Sequence, residues 1–235
     1  MSKYAFSVLL VTSLLSQIAV AETEKAAQHL SGNIGVVSQY VYRGGVENND
    51  PALQGGLEYA FNNGISVGYW GSTLDYDMTD ESKDHGIEND LYIAYDHEIN
   101  QDLSYRLQAT SYIYTGFDAL AAVTYKELTM SMTVMLADAA FANAGDMYIG
   151  AAYSHALPYE FMFNTSIGAS IYNSSRDDAL METQKDFAFN EARIGISKDI
   201  AQTGLNGSVD YVLGGQDRMG NDFDNNTVIG LNYAF

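Results

Sequence analysis

The sequence predicts an all-β protein, a transmembrane antiparallel up-and-down β-barrel of twelve strands, from three observations. Hydrophobic residues are 47% and charged residues only 17%, with 18 Tyr, 10 Phe, 21 Gly and 2 Pro. Aromatic side chains fill pleated surfaces and glycine permits tight turns, so this composition favours strands over helices. Apolar residues then recur at period two between turn signals along most of the chain. Finally, the connections between these segments alternate between short and long, as in outer-membrane barrels. A β-sandwich would alternate too, but nothing in it sorts loop lengths in this way.

The first strand is expected over 31–43 and the second over 51–61, where Leu57, Tyr59 and Phe61 alternate with Glu58 and Ala60. Asn62-Asn63-Gly64 marks a hairpin into a third strand over 65–75, with Ile65, Val67 and Tyr69 on one face. Strands over 86–97 and 102–113 follow: Leu91, Ile93 and Tyr95 oppose Asp90, Tyr92, Ala94 and Asp96, and Leu103, Tyr105 and Leu107 oppose Ser104, Arg106 and Gln108. The segments over 119–126, 128–138, 146–155 and 160–172 repeat the pattern, as where Met130, Met132 and Val134 face away from Ser131, Thr133 and Met135. Strands over 187–198, 205–214 and 226–235 bring the total to twelve. That number is even, as a closed bacterial barrel requires.

Short connections follow the even-numbered segments, at 62–64, 98–101, 127, 156–159 and 199–204. Those after odd-numbered segments, at 44–50, 76–85, 114–118, 139–145, 173–186 and 215–225, are mostly longer and rich in Asp, Asn and Gly. Tyr40, Tyr42, Trp70, Tyr95, Tyr153, Tyr211 and Tyr233 lie near strand ends and suit interfacial aromatic girdles. In the last strand Thr227, Ile229, Leu231, Tyr233 and Phe235 alternate with Val228, Gly230, Asn232 and Ala234. Gly230, Tyr233 and the terminal Phe235 resemble the C-terminal signal read by the barrel assembly machinery.

At the other end, Lys3 precedes a mostly apolar run from Tyr4 to Val20 that closes on Ala19-Val20-Ala21. This reads as a signal peptide over 1–21, leaving a short segment over 22–30 and the barrel over 31–235. Beyond it no uncharged apolar stretch approaches the roughly 18 residues of a membrane helix.

The 11 Lys and Arg against 30 Asp and Glu give a formal net charge of -19, a field that repels phosphates and excludes nucleic acid as a partner. The chain has no cysteine, hence no disulfide or thiolate metal site, and no cofactor is expected. Four histidines, His29, His85, His97 and His155, lie apart from any nucleophile motif, so an outer-membrane hydrolase is disfavoured. Asp75, Asp77, Asp80, Glu81 and Asp84 crowd one loop, but the sixth position from Asp75 is Asp80 where a calcium loop needs Gly. These carboxylates are weak metal candidates, expected to be solvated or to sit near cations bridging lipopolysaccharide.

The polar face carries Arg43, Glu58, Glu88, Asp90, Arg106, Glu191, Arg193 and Asp210, the candidate pore-lining residues. A twelve-stranded barrel falls between filled eight-stranded barrels and open sixteen-stranded porins. A narrow channel for ions or small polar solutes is therefore expected, cation-preferring because acid is in excess. Its alternatives are a plugged barrel whose arginines neutralise lumen carboxylates, or a surface-interaction barrel acting through its loops.

The run Ser31-Gly32-Asn33-Ile34-Gly35-Val36-Val37-Ser38-Gln39-Tyr40-Val41-Tyr42-Arg43-Gly44, then Pro51-Ala52-Leu53-Gln54-Gly55-Gly56-Leu57-Glu58-Tyr59 and Gly68-Tyr69-Trp70-Gly71-Ser72, resembles the opening of the TorF-type porins, Gcw_chp-like bacterial outer-membrane proteins. The resemblance implies an outer-membrane barrel and passive transport without naming a solute.

Overall fold

The structure, a computed structural model, describes residues 29–77, 80, 82–113, 116–174, 179–201 and 203–235. The expected signal peptide, most of the segment after it and Glu81 lie outside the described residues.

Twelve strands close into one antiparallel barrel: β1 (Leu30–Val37), β4 (Ala52–Ala60), β5 (Ile65–Leu74), β6 (Gly86–Asn100), β7 (Leu103–Tyr112), β8 (Gly116–Tyr125), β9 (Leu128–Met135), β10 (Met147–Ala156), β11 (Phe161–Ile171), β12 (Phe187–Asp199), β13 (Leu205–Gly214) and β14 (Asn226–Ala234). Two further strands, β2 (Tyr40–Tyr42) and β3 (Gly45–Asn48), form a separate hairpin. Each barrel strand pairs with its neighbours in the chain, and β1 closes on β14 with Asn33 opposite Ala234 and Val37 opposite Gly230. Closure leaves no open edge, the condition for a sheet in hydrocarbon, where an unpaired N–H or C=O finds no water. Phe235 takes part: its amide donates to Gly32 O at 2.9 Å, and Gly32 N returns a bond to its carbonyl at 3.0 Å.

Alternation sorts the two faces as the sequence predicts. On β6, Asp90 is 0% exposed while Leu91 beside it is 52% exposed. Ile34, Leu57, Ile93, Met130, Ile194 and Leu231 likewise stand outward and exposed, an apolar outer band around a polar interior. Tyr95, Tyr153 and Tyr233 face outward near the short-turn rim, stacked on His97, His155 and Phe235 at centroid distances of 6.2, 6.1 and 6.0 Å. Gly64 makes the turn between β4 and β5 possible: its φ is +84°, and a Cβ there would stand 2.6 Å from Asp96 O.

The first expected strand is the main correction. The wall strand ends at Val37, and residues 40–48 leave the wall as the β2–β3 hairpin. Alternation continues through Tyr40, Val41 and Tyr42 because the hairpin too has two faces, and period two cannot tell a wall strand from one lying inside the barrel. Tyr40, Tyr42 and Trp70 are therefore not girdle residues. Tyr40 is 2% and Trp70 4% exposed, and their rings meet edge to face at 5.8 Å inside the barrel. Arg43 sits in the hairpin turn at φ 48° and not on the wall. The connection expected at 114–118 is also shorter, since β8 begins at Gly116 and takes Asp118 into the inner face.

Candidate functional site: the barrel lumen

The hairpin departs from the wall at Ser38, whose amide donates to Ile229 O at 2.8 Å and whose Oγ accepts from Ile229 N at 2.9 Å. Apolar contacts then hold it inside: Tyr40 packs with Ala52, Trp70 and Leu74, and Val41 with Val212 and Val228. On the return strand Asn48 Nδ2 donates to Thr73 O at 2.9 Å and Tyr76 donates to Glu47 at 2.6 Å. Burial raises the Glu47 carboxyl above its ordinary value, and the Tyr76 bond offsets this in part.

At the hairpin turn a chain of side chains crosses the lumen. Tyr112 donates to Asp118 at 2.9 Å and its hydroxyl lies 3.4 Å from that of Tyr42. The Arg43 guanidinium stands over Tyr42 at 4.8 Å and over Tyr148 at 4.5 Å, and Tyr148 donates to Glu191 at 3.1 Å. Glu191 also accepts from Gly44 N at 3.2 Å and from Arg193 Nε at 2.9 Å, while Arg193 Nη2 donates to Val41 O at 2.8 Å. Gly44 is required here: its φ is +87°, and a Cβ would stand 2.4 Å from Asn190 O. The hairpin thus lies across the barrel from β7 and β8 to β10 and β12.

Nearer the short-turn rim Arg106, 6% exposed, donates to Glu58 at 3.0 Å, to Asp96 at 2.8 Å and to Gln108 at 3.0 Å. Tyr92 adds a bond to Glu58 at 3.1 Å. The eight candidate residues therefore all reach the interior, but in different company. Arg106 joins Glu58; Arg193 joins Glu191 and the hairpin; Arg43 belongs to the hairpin itself. Asp210 lies over Gly195, where a Cβ would stand 2.0 Å from its Oδ1. Glu88 takes a hydrogen bond from Tyr40. Asp90 stands alone, neither carboxylate oxygen having a hydrogen-bond partner among the described residues.

The long-loop rim holds a network that sequence reasoning missed. Asn143, 0% exposed, accepts from Met181 N at 2.8 Å and donates to Met181 O at 2.8 Å, pinning the β11–β12 loop to the β9–β10 loop. Arg218 of the last loop joins them through Asp146 and, at 3.0 Å, Thr183. These contacts join residues 35 to 72 positions apart, and no local pattern marks them.

The acidic loop is differently made. Asp75 accepts from Asn49 N at 2.9 Å, and Asp77 and Asp80 lie 3.4 and 3.5 Å from Lys83 Nζ. Hydrogen bonds from the Ser82 side chain and amide hold the Asp80 carboxyl below its ordinary range. Among the described residues no three His, Asp or Glu side chains converge as a metal-binding set. Gly230 faces inward on β14, whereas Tyr233 and Phe235 point outward and stack.

Three solved structures share this architecture. The KdgM porin aligns with a TM-score of 0.54 at 7% identity, over 87% of this chain and 99% of its own. The NanC porin gives 0.52 at 11% identity over 88% and 98%, and an outer-membrane channel from Pseudomonas putida F1 gives 0.51 at 10% over 87% and 94%. At such identities the likeness is one of fold. No curated protein sequence matches the chain. The family described as bacterial protein of unknown function (Gcw_chp) matches residues 21–234, and the chain belongs to that family.

Proposed function

We propose that this protein is an outer-membrane porin-like channel through which ions and small polar solutes diffuse, with preference for cations. One observation carries the reading: the inner wall is lined by charged side chains while the outer band is apolar around the whole barrel. A wall with two such faces stands between lipid and water. Within the lumen the carboxylates of Glu58, Glu88, Asp90, Asp96, Asp118, Glu191 and Asp210 outnumber the guanidinium groups of Arg43, Arg106 and Arg193. Fixed negative charge in a pore raises the local cation concentration. In this reading Arg43, Glu58, Glu88, Asp90, Arg106, Glu191, Arg193 and Asp210 line the path. The long loops face outward into lipopolysaccharide, residues 1–21 direct export, and Gly230, Tyr233 and Phe235 are read by the assembly machinery. The resemblance to TorF-type porins supports the same assignment.

A second reading, a plugged barrel, is favoured by the hairpin lying across the lumen. Planar-bilayer recording of the purified barrel and of a variant lacking residues 40–48 separates the two. Discrete steps from the intact barrel, with a reversal potential toward the cation value in a salt gradient, are expected. Steps seen only after deletion would establish the plug, and silence from both would remove the channel.

A further inference from the structure

We infer that Asp90 is the ligand of a small alkali cation held behind the hairpin. Asp90 is 0% exposed and neither of its oxygens has a hydrogen-bond partner among the described residues. A buried carboxylate without a donor or counter-charge costs several kcal/mol, so such a group binds a cation or gives up its charge. Its surroundings deepen the negative potential. Glu88 projects inward two residues away on β6, and Asp118 faces the same region from β8. The wall neighbours in register are Trp70 on β5 and Tyr112 on β7.

Among the described residues no guanidinium group donates to Asp90. Arg43, bracketed by the Tyr42 and Tyr148 rings, interacts electrostatically with Asp118 and leaves its Nε without a hydrogen-bond partner among these residues; Arg106 is held by Glu58 and Asp96, and Arg193 by Glu191. From the hairpin, Tyr40 bonds Glu88 and the Tyr42 hydroxyl lies against that of Tyr112, so the hairpin closes over this part of the wall without bringing a cation to Asp90. The occupant is small and monovalent for two reasons. A carboxylate sealed beneath the hairpin admits no bulky ammonium group, and among the described residues no three acidic side chains converge into the many-oxygen cage that a calcium ion takes. The inference rests on the cation-preferring reading above and makes Asp90 its specific ion-binding point.

Trp70 is the protein's single tryptophan and is paired in register with Asp90, so its fluorescence reports the site directly. Wild-type barrel in detergent is titrated with NaCl or KCl replacing N-methyl-D-glucamine chloride at constant ionic strength. The expected result is a saturable change in Trp70 emission, as mass action on a single site requires. It should be absent in Asp90→Asn, a substitution that removes a buried charge. An equal response in Asp90→Asn overturns the inference. So does a wild-type response that is unsaturable or that follows pH alone, the last showing a proton in place of the ion. If Asp90→Asn fails to form a barrel, the wild-type comparison of alkali ion with N-methyl-D-glucamine decides alone. A barrel that titrates but never conducts keeps the ion site and loses the channel; one that conducts but does not titrate loses only the site.

Discussion

Replacing Arg106 with Met removes the guanidinium that holds two lumen carboxylates while keeping most of the side chain's apolar volume. Glu58, with 14% of its side chain exposed, would be left, among the described residues, with the Tyr92 hydroxyl as its side-chain donor, and stranding one member of a buried pair costs about 3 kcal/mol. Asp96 is 49% exposed, so water replaces most of what it loses and its share is at most about 1 kcal/mol. The lost bond to Gln108 adds about 1 kcal/mol. Arg106→Met should therefore cost about 4 kcal/mol in urea-induced unfolding from lipid vesicles. The Glu58→Gln, Arg106→Met double variant no longer strands a buried charge and should recover about 2 kcal/mol of that loss. Free energies of the two single variants that simply add in the double would refute the pairing argument. So would an Arg106→Met barrel as stable as wild type.

Three further outcomes follow from the geometry. Gly44→Ala should dislodge the hairpin turn, because the new Cβ would meet Asn190 O at 2.4 Å and φ stays positive; larger single-channel conductance with the barrel intact is the expected readout. Asn143→Ala removes both bonds to Met181, so hydrogen exchange over 179–185 should accelerate by one to two orders of magnitude, about 2 kcal/mol, while the barrel strands stay protected. Glu47 has its carboxyl raised by burial, so the docked hairpin binds a proton more tightly than an undocked one. Docking should strengthen as pH falls through the raised value toward 4.5, and weaken as pH rises from 4.5 through the raised value, levelling off above it. Conductance recorded between pH 4 and 8 should fall with acidification, and Glu47→Gln should flatten that dependence.

The wall of this protein was legible in its sequence because lipid and water impose a strict period of two on a spanning strand. Leu91 and Asp90 declare opposite solvents from adjacent positions, and the alternation of short and long connections supplies the strand count. The same periodicity misread Tyr40 to Arg43, since a hairpin inside the lumen also presents two faces, and no local signal says that its neighbours are Trp70 and Val212 instead of lipid. Which charges neutralise one another was likewise beyond the sequence. Glu58 meets Arg106, and Glu191 meets Tyr148 and Gly44, only because closure of the sheet sets strands of fixed register face to face across the interior. Residue type and period decide which solvent a strand face meets. Barrel curvature and the path of the first loop decide which side chains meet one another, and they leave Asp90 without a partner among the described residues.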